Sequence, residues 1–438
     1  MTFCIFLAKI ASIFYVGVQM LVEFRVTNFR SIREEQCLSF VATADKTLDE
    51  THCIATGSSA VPKLLRSAVV YGPNASGKSN LIFALITMQT MVLTSTRLLE
   101  PQYRDLYTPF RLDDHSANQP TEFEITIMLE GVRYQYGFAF DAECIRSEWL
   151  LVYVANKPQR WFEYHYNTET GQKDWEPFSA YFKGNRKVWM ENTPPKALFL
   201  TQASQSNSAQ LLPIFNWFAR DLIVLAGPFE VNLAPTFVKL AEPHYKEWVL
   251  KLMNAADIHV SDIKVEKRKG QHLQLKFEPG KPLETLAFDG EVPDVEFCHQ
   301  IDGGSPVWFD RRFESYGTQR LLGYSAPLLD AIENGKVLVV DEFDTSLHPS
   351  LTRYIIQLLH NPNLSKKGAQ MWMTTHDTSL LDPNLLRRDQ VWFVEKRAQQ
   401  TSELYSLTEY SPRKNEALER GYLMGRYGAI PFLTEFLF

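Results

Sequence analysis

A chain of 438 residues, 45% hydrophobic and 22% charged, has room for two or three domains and a large core, and its composition excludes wholesale disorder. A formal net charge of -6 gives no global attraction to nucleic acid, so DNA stays open as a partner only through a local basic patch. The five cysteines form no C-x-x-C pair, which argues against a zinc site or disulfide framework and fits a reducing cytoplasm, and Cys298-His299 reads as packing.

Met1 to Gln19 are apolar, but Lys9 interrupts them and the run falls short of the ~20 residues of a membrane helix. No charged segment precedes the run and no small-x-small cleavage site follows it. Residues 1–19 therefore read as a non-native or flexible extension before a start at Met20, with a weak membrane anchor as the alternative. From Leu21, the residues Val22, Phe24 and Val26 alternate with Glu23, Arg25 and Thr27, the period of a half-buried strand, which runs into Asn28-Phe29-Arg30-Ser31-Ile32. Lys46 to Lys63 reads as a loop.

Gly72-Pro73-Asn74-Ala75-Ser76-Gly77-Lys78-Ser79 matches the G-x-x-x-x-G-K-[ST] phosphate-binding loop in full. Before it, Ser67 to Tyr71 is short, apolar and β-branched like a buried parallel strand; after it, Ser79 to Val92 reads as a helix. In that setting the loop's backbone N–H groups curl around phosphate oxygens and the helix N-terminus adds its positive end. Lys78 would reach the β- and γ-phosphates of ATP, and the Ser79 hydroxyl would ligate Mg2+. Gly72, Asn74, Ser76, Gly77, Lys78, Ser79 and the adjoining Asn80 are assigned to the nucleotide.

Antiparallel β text follows. Phe123, Ile125, Ile127 and Leu129 share one face, Val132 to Phe140 continue the alternation, and the two-residue link Glu130-Gly131 suits a hairpin. Trp149 to Tyr153 and Trp161 to Tyr166 extend the set. From about Thr168 to Arg311 the pattern alternates loops and helices, with helices expected over Ser208 to Arg220 and Pro243 to Ala255. In the second, Tyr245, Trp248, Val249, Leu252 and Met253 form one apolar stripe suited to a core. Lys267-Arg268-Lys269 before Gly270 reads as a solvated hairpin tip.

Val337 to Val340 is an apolar strand ending in Asp341-Glu342. Beside a phosphate loop, Asp341 would hold Mg2+ and Glu342 would orient and polarise the attacking water. Upstream, Ser315 and Gly317 open a helix-like run and make a second anion-binding end. Downstream, Leu351, Tyr354, Ile355, Leu358 and Leu359 are in helical register, and Met371 to Thr375 is a short strand with His376 at its tip, placed to reach a γ-phosphate.

In this order the pieces resemble the SMC-like ABC ATPases over most of the chain from Leu21 on. Asn28-Phe29-Arg30-Ser31 is similar to the family's first-strand motif, whose arginine contacts phosphates, so the resemblance gives that role to Arg30. Ser315 and Gly317 match the signature serine and second glycine, Asp344 begins the D-loop, and His376 is the switch histidine. Tyr316 stands where the first signature glycine is expected and Thr318 where Gln or Glu is usual. Of two candidate Q-loop residues, Gln202 is preferred to Gln205 as the further Mg2+ ligand. The resemblance implies an ABC-type α/β head, an antiparallel β lobe and an inserted helical region, and a homodimer or higher homo-oligomer that sandwiches ATP between two subunits. The expected division is residues 20–167, an insertion over 168–311, and 312–438 carrying the signature, the strand-end acids and the switch histidine.

The signature, the Asp341 to Pro349 block and the tail containing Gly425-Arg426-Tyr427-Gly428 resemble more narrowly the ATPases of bacterial phage-defence systems, of the RloA and AbiL type, with those of PARIS and Septu similar. Such ATPases pair with a separately encoded effector, often a nuclease, under a phage-derived trigger. An in-chain Toprim nuclease, as in the OLD family, would need on the order of 100 residues after His376, more than the sequence holds. A RecF-like DNA-repair ATPase is the alternative; a transporter subunit and an AAA+ motor fit less well. No membrane partner is expected.

Overall fold

The structure, a computed structural model, describes residues 19–226, 234–276, 284–397, 399–413 and 416–431. The expectation for residues 1–19 therefore lies, Gln19 apart, outside the described residues. Strands β1 (Gln19–Thr27) and β2 (Gln36–Ser39) open the chain. Lys46 to Lys63 is not a plain loop: it holds a helical turn (Asp49–His52) and β3 (Cys53–Ala55), which pairs with β4 (Lys63–Leu65). The pairing of Cys53 with Leu65 is a contact the local sequence does not announce. Strand β5 (Ser67–Tyr71) then leads into helix α1 (Lys78–Thr94).

Five strands follow: β6 (Thr121–Leu129), β7 (Val132–Phe140), β8 (Ile145–Val154), β9 (Lys157–Asn167) and β10 (Gln172–Trp175). With β1 and β2 they make a seven-stranded antiparallel sheet in the order β10-β9-β8-β7-β6-β1-β2. Leu129 pairs with Val132 across a two-residue turn, and Glu130 (φ 50) and Gly131 (φ 79) both take the left-handed backbone that a tight hairpin needs.

A six-stranded sheet carries the phosphate loop. It adds to β5 the strands β11 (Leu222–Leu225), β15 (Val337–Val340), β16 (Gln370–Thr374), β17 (Val391–Lys396) and β18 (Ser402–Ser406), in the order β11-β15-β16-β5-β17-β18. The first five are parallel and β18 alone is antiparallel. Every residue of β5, β15 and β16 is buried, which is why their middles read as apolar without alternation. The two large sheets share one core: Phe24 of β1 meets Trp372 of β16 at 6.0 Å between ring centres. At the sheet base Gln370 ties them, its side chain accepting from Leu21 N (2.7 Å) and donating to Leu21 O and Leu65 O (3.0 Å each). The expected helix over Ser208 to Arg220 is realised as Leu212–Asn216 followed by a wider π-type turn at Trp217–Asp221 that buries Trp217 and Phe218.

The chain divides into two compact units: Met1–Gly227 with Asp330–Asp344 and Thr352–Phe438, and Pro228–Leu329 with Thr345–Leu351. The second contains helices α2 (Ala234–Lys239) and α3 (Pro243–Ala255). Helix α3 has the expected bounds and buries Tyr245, Val249, Leu252 and Met253. It also holds the antiparallel strands β12 (Asp262–Lys276), β13 (Glu284–His299) and β14 (Val307–Asp310), and the start of helix α4 (Tyr316–Asn334). Lys267, Arg268 and Lys269 are not at a hairpin tip. They pair in mid-strand with Pro293, Val292 and Glu291, because this hairpin is far longer than the usual strand.

Candidate active site

Strand β5 delivers the chain into a loop that only glycine can make. Gly72 has φ 156, and a Cβ there would lie 2.2 Å from Val394 O; Gly77 has φ 113, and its Cβ would meet Ser402 Oγ at 2.1 Å. Gly77 is also the N-cap of α1 and supplies no side-chain cap; in the first turn Asn80 N donates to Gly77 O at 3.0 Å, and no side chain caps the helix start. Within the loop, Ser76 Oγ is buried without a hydrogen-bond partner among the described residues. Lys78 folds back on the loop, its Nζ donating to Gly72 O (2.7 Å) and Pro73 O (3.1 Å). Burial pulls its amine down to about 8, while Asp341, Glu342 and Asp344 act to hold the proton on.

The acids stand at the end of β15, beside β16. Thr374 Oγ1 donates to Asp341 Oδ1 at 2.5 Å and accepts from the Glu342 N–H at 2.8 Å, so one hydroxyl fixes both. Phe343 N donates to Thr374 O at 3.0 Å and continues the brace. Glu342 has φ 48, the left-handed backbone that costs a residue with a Cβ energy and clusters at functional sites. The Asp344 carboxylate accepts from the His376 N–H at 3.2 and 3.3 Å. The His376 ring is held below the ordinary imidazole range, by burial first and the Lys78 charge second, against the opposing pull of Asp344, Glu342 and Asp341. Lys78, Asp341, Glu342, Asp344 and His376 are thus electrostatic neighbours.

This set fits a metal–nucleotide. Uncapped N–H groups, an amine and an orphaned serine hydroxyl suit phosphate oxygens, whereas three nearby carboxylates would repel a polyphosphate unless a hard divalent cation lay between. No three His, Cys, Asp or Glu among the described residues could hold a metal by themselves. Ser79 and Asp341 offer two oxygen donors, so phosphate and water would complete the shell, as Mg2+ prefers.

Arg30 lies beside the loop, with its guanidinium 4.3 Å from the Phe83 ring centre and Nη1 3.5 Å from Asn80 Oδ1. Burial lowers its pKa. Asn80 donates to Ser31 Oγ (2.7 Å) and Ser31 Oγ bonds Ser402 Oγ (2.7 Å); neither Ser402 nor Thr374 was marked by any sequence motif. Asn74 is exposed and borders a cleft of about 650 Å3 shared with His376, Lys396 and Tyr422.

Gln202 is not brought to this site. It lies in the short helix Phe199–Gln205, whose Thr201 Oγ1 donates to Val92 O at 2.7 Å, near the far end of α1. At 1.5 Å of rise per residue Val92 is about 20 Å from Ser79, and Gln205 is held at the same end by Thr96 (3.0 Å). The backbone beside Asp341 is instead the exit of β11, where Leu225 O accepts from Asp341 N at 2.9 Å. In the second unit, Ser315 caps α4: its Oγ accepts from Thr318 N at 3.1 Å and bonds Thr318 Oγ1 at 2.9 Å. Gly317 is packed so that a Cβ would be 2.6 Å from Ser346 O.

A phosphate loop between a buried parallel strand and a helix, with paired acids on a neighbouring strand, defines a P-loop ATPase fold. The chain belongs to the family described as "AAA domain, putative AbiEii toxin, Type IV TA system", whose model matches residues 67–382, well over half of the chain. That family implies nucleotide binding, typically with Mg2+. Among solved structures, the SMC head domain from Thermotoga maritima is similar at 13% identity and a TM-score of 0.38, covering 88% of this chain and 98% of that one. The Smc head domain with an extended coiled coil bound to the C-terminal domain of ScpA, derived from Pyrococcus furiosus, is similar at 12% identity and a TM-score of 0.38, covering 90% and 98%. No protein of curated function matches the chain. No helix among the described residues is long and apolar enough to cross a membrane.

Proposed function

We propose that this protein hydrolyses ATP as an ABC/SMC-like ATPase and serves as the sensor and scaffold of an anti-phage defence system, controlling a separately encoded nuclease or toxin. The observation that carries the ATPase reading is the meeting of Lys78, Asp341, Glu342 and His376 around one phosphate loop, with Thr374 bracing both acids. Lys78 and the first-turn N–H groups of α1 bind the phosphates. Bound through Ser79 and Asp341, Mg2+ would neutralise charge developing on the transferred phosphoryl group. Glu342 accepts hydrogen bonds from the attacking water and orients it, and His376 lies within reach of the γ-phosphate. Ser315 and Gly317 serve the site of a second copy, so a homodimer is the working unit.

The defence reading is supported by the motif order and by a family description that names a toxin–antitoxin system. Glu342→Gln should keep ATP affinity and lose turnover by about 100-fold or more, the usual contribution of a positioned base; normal hydrolysis would remove Glu342 from the mechanism. Purifying this variant with the neighbouring gene product, with and without ATP, tests the rest by intact mass. A stoichiometric partner supports the defence system, and the ATPase alone with bound DNA would support a repair role instead.

A further inference from the structure

The antiparallel strand β18 begins at Ser402, 3% exposed, directly under the phosphate loop. Its hydroxyl donates to Ser76 O at 2.5 Å, so its oxygen accepts from Ser31 Oγ (2.7 Å), which in turn accepts from Asn80 Nδ2 (2.7 Å). The result is a one-way chain from α1, through the segment after β1, to the loop's backbone. Ser402 N also donates to Ser31 O at 2.7 Å, which fixes the strand to that segment independently of either side chain. The consequence follows from peptide planarity. Holding Ser76 O toward Ser402 turns the Gly77 N–H of the same peptide the opposite way, into the cradle. The absent Gly77 side chain is what lets Ser402 come this close.

We propose that Ser402, acting with Ser31, is a positioning residue for the phosphate loop, presetting the Ser76-Gly77 peptide for a nucleotide phosphate. The proposal rests on the ATPase reading for its ligand. It gives Ser402 no contact with the nucleotide and no part in the chemical step. Loss of the hydroxyl should therefore weaken binding of ATP and ADP alike and leave saturated turnover unchanged.

The test compares wild type, Ser402→Ala, Ser31→Ala and the double variant for MgADP affinity, ATP KM and kcat, and hydrogen exchange across residues 74–78 without nucleotide. The expected result for Ser402→Ala is an affinity loss of about 5- to 30-fold with kcat within about twofold, the scale of one buried hydrogen bond. Loop exchange should quicken, and the double variant should be little worse than either single one, because both interrupt one chain. Wild-type affinity in Ser402→Ala, or single losses that multiply in the double variant, overturns the proposal. Should Ser402→Ala fail to fold, Ser31→Ala is read against the same expectations. A wild-type protein that binds no nucleotide refutes the ATPase reading instead, and the loop exchange then still decides whether Ser402 sets the loop.

Discussion

Two helix starts marked by glycine, those of α1 and α4, are built in opposite ways. At α1 the N-cap is Gly77, which has no side chain to offer, and the first turn goes without a side-chain cap. At α4 the start is Ser315, whose hydroxyl already takes the Thr318 N–H. The first terminus leaves the place of a side-chain cap to an anion; the second fills that place with its own hydroxyl and would have to share the donor. The difference teaches that a helix N-terminus is an anion site by virtue of what fails to cap it, not by its dipole alone. It also suits the division of labour proposed above, in which the loop binds nucleotide and the capped serine joins only when a second copy arrives.

The comparison breaks most readily at Lys78. Lys78→Ala should cost about 100-fold or more in nucleotide affinity, measured by calorimetry, since a charge-assisted contact to phosphate has no substitute in the open cradle. Unchanged affinity would mean that the open terminus binds nothing. Thr374→Val keeps the shape of β16 but removes the hydroxyl that fixes both acids; kcat should fall about tenfold with a stability loss of about 1–2 kcal/mol, read by steady-state kinetics and denaturant melts.

Ser315→Ala should cost about 1 kcal/mol from the lost cap. Ser315→Asn restores capping, so if hydrolysis is lost in both variants while stability returns in Ser315→Asn, the serine does more than cap. Smallest of all, Mg2+ with pyrophosphate should slow amide exchange at the start of α1 and leave the start of α4 unchanged in dilute protein. Equal protection at both ends would erase the distinction.

What the sequence makes legible is local. The phosphate loop, the strand ending in Asp341-Glu342 and helix α3 are each written within one short window, so loop chemistry and periodicity suffice. The bracing is not. Thr374 serves Asp341 from another strand, and Ser402 serves Ser76 from the far end of the chain, so neither pairing leaves a local pattern. Gln202 misled for a related reason. A glutamine in a short helix looks the same at either end of α1, and only the contact of its neighbour Thr201 with Val92 shows which end it faces. The Lys267 to Lys269 run misled through length, because a charged triplet before glycine looks like a tip when strands are assumed short.

The bond from Ser402 to Ser76 has a consequence for synthesis. A ribosome releases residues 72–79 early, but the peptide between Ser76 and Gly77 acquires its hydroxyl anchor only after β18 has emerged and folded under it. A partly made chain would carry a complete phosphate-loop sequence and yet hold its Ser76-Gly77 peptide loosely. For a protein proposed to govern a toxin or nuclease, that order of events would keep translation fragments from competing for nucleotide or signalling before the whole polypeptide is in place.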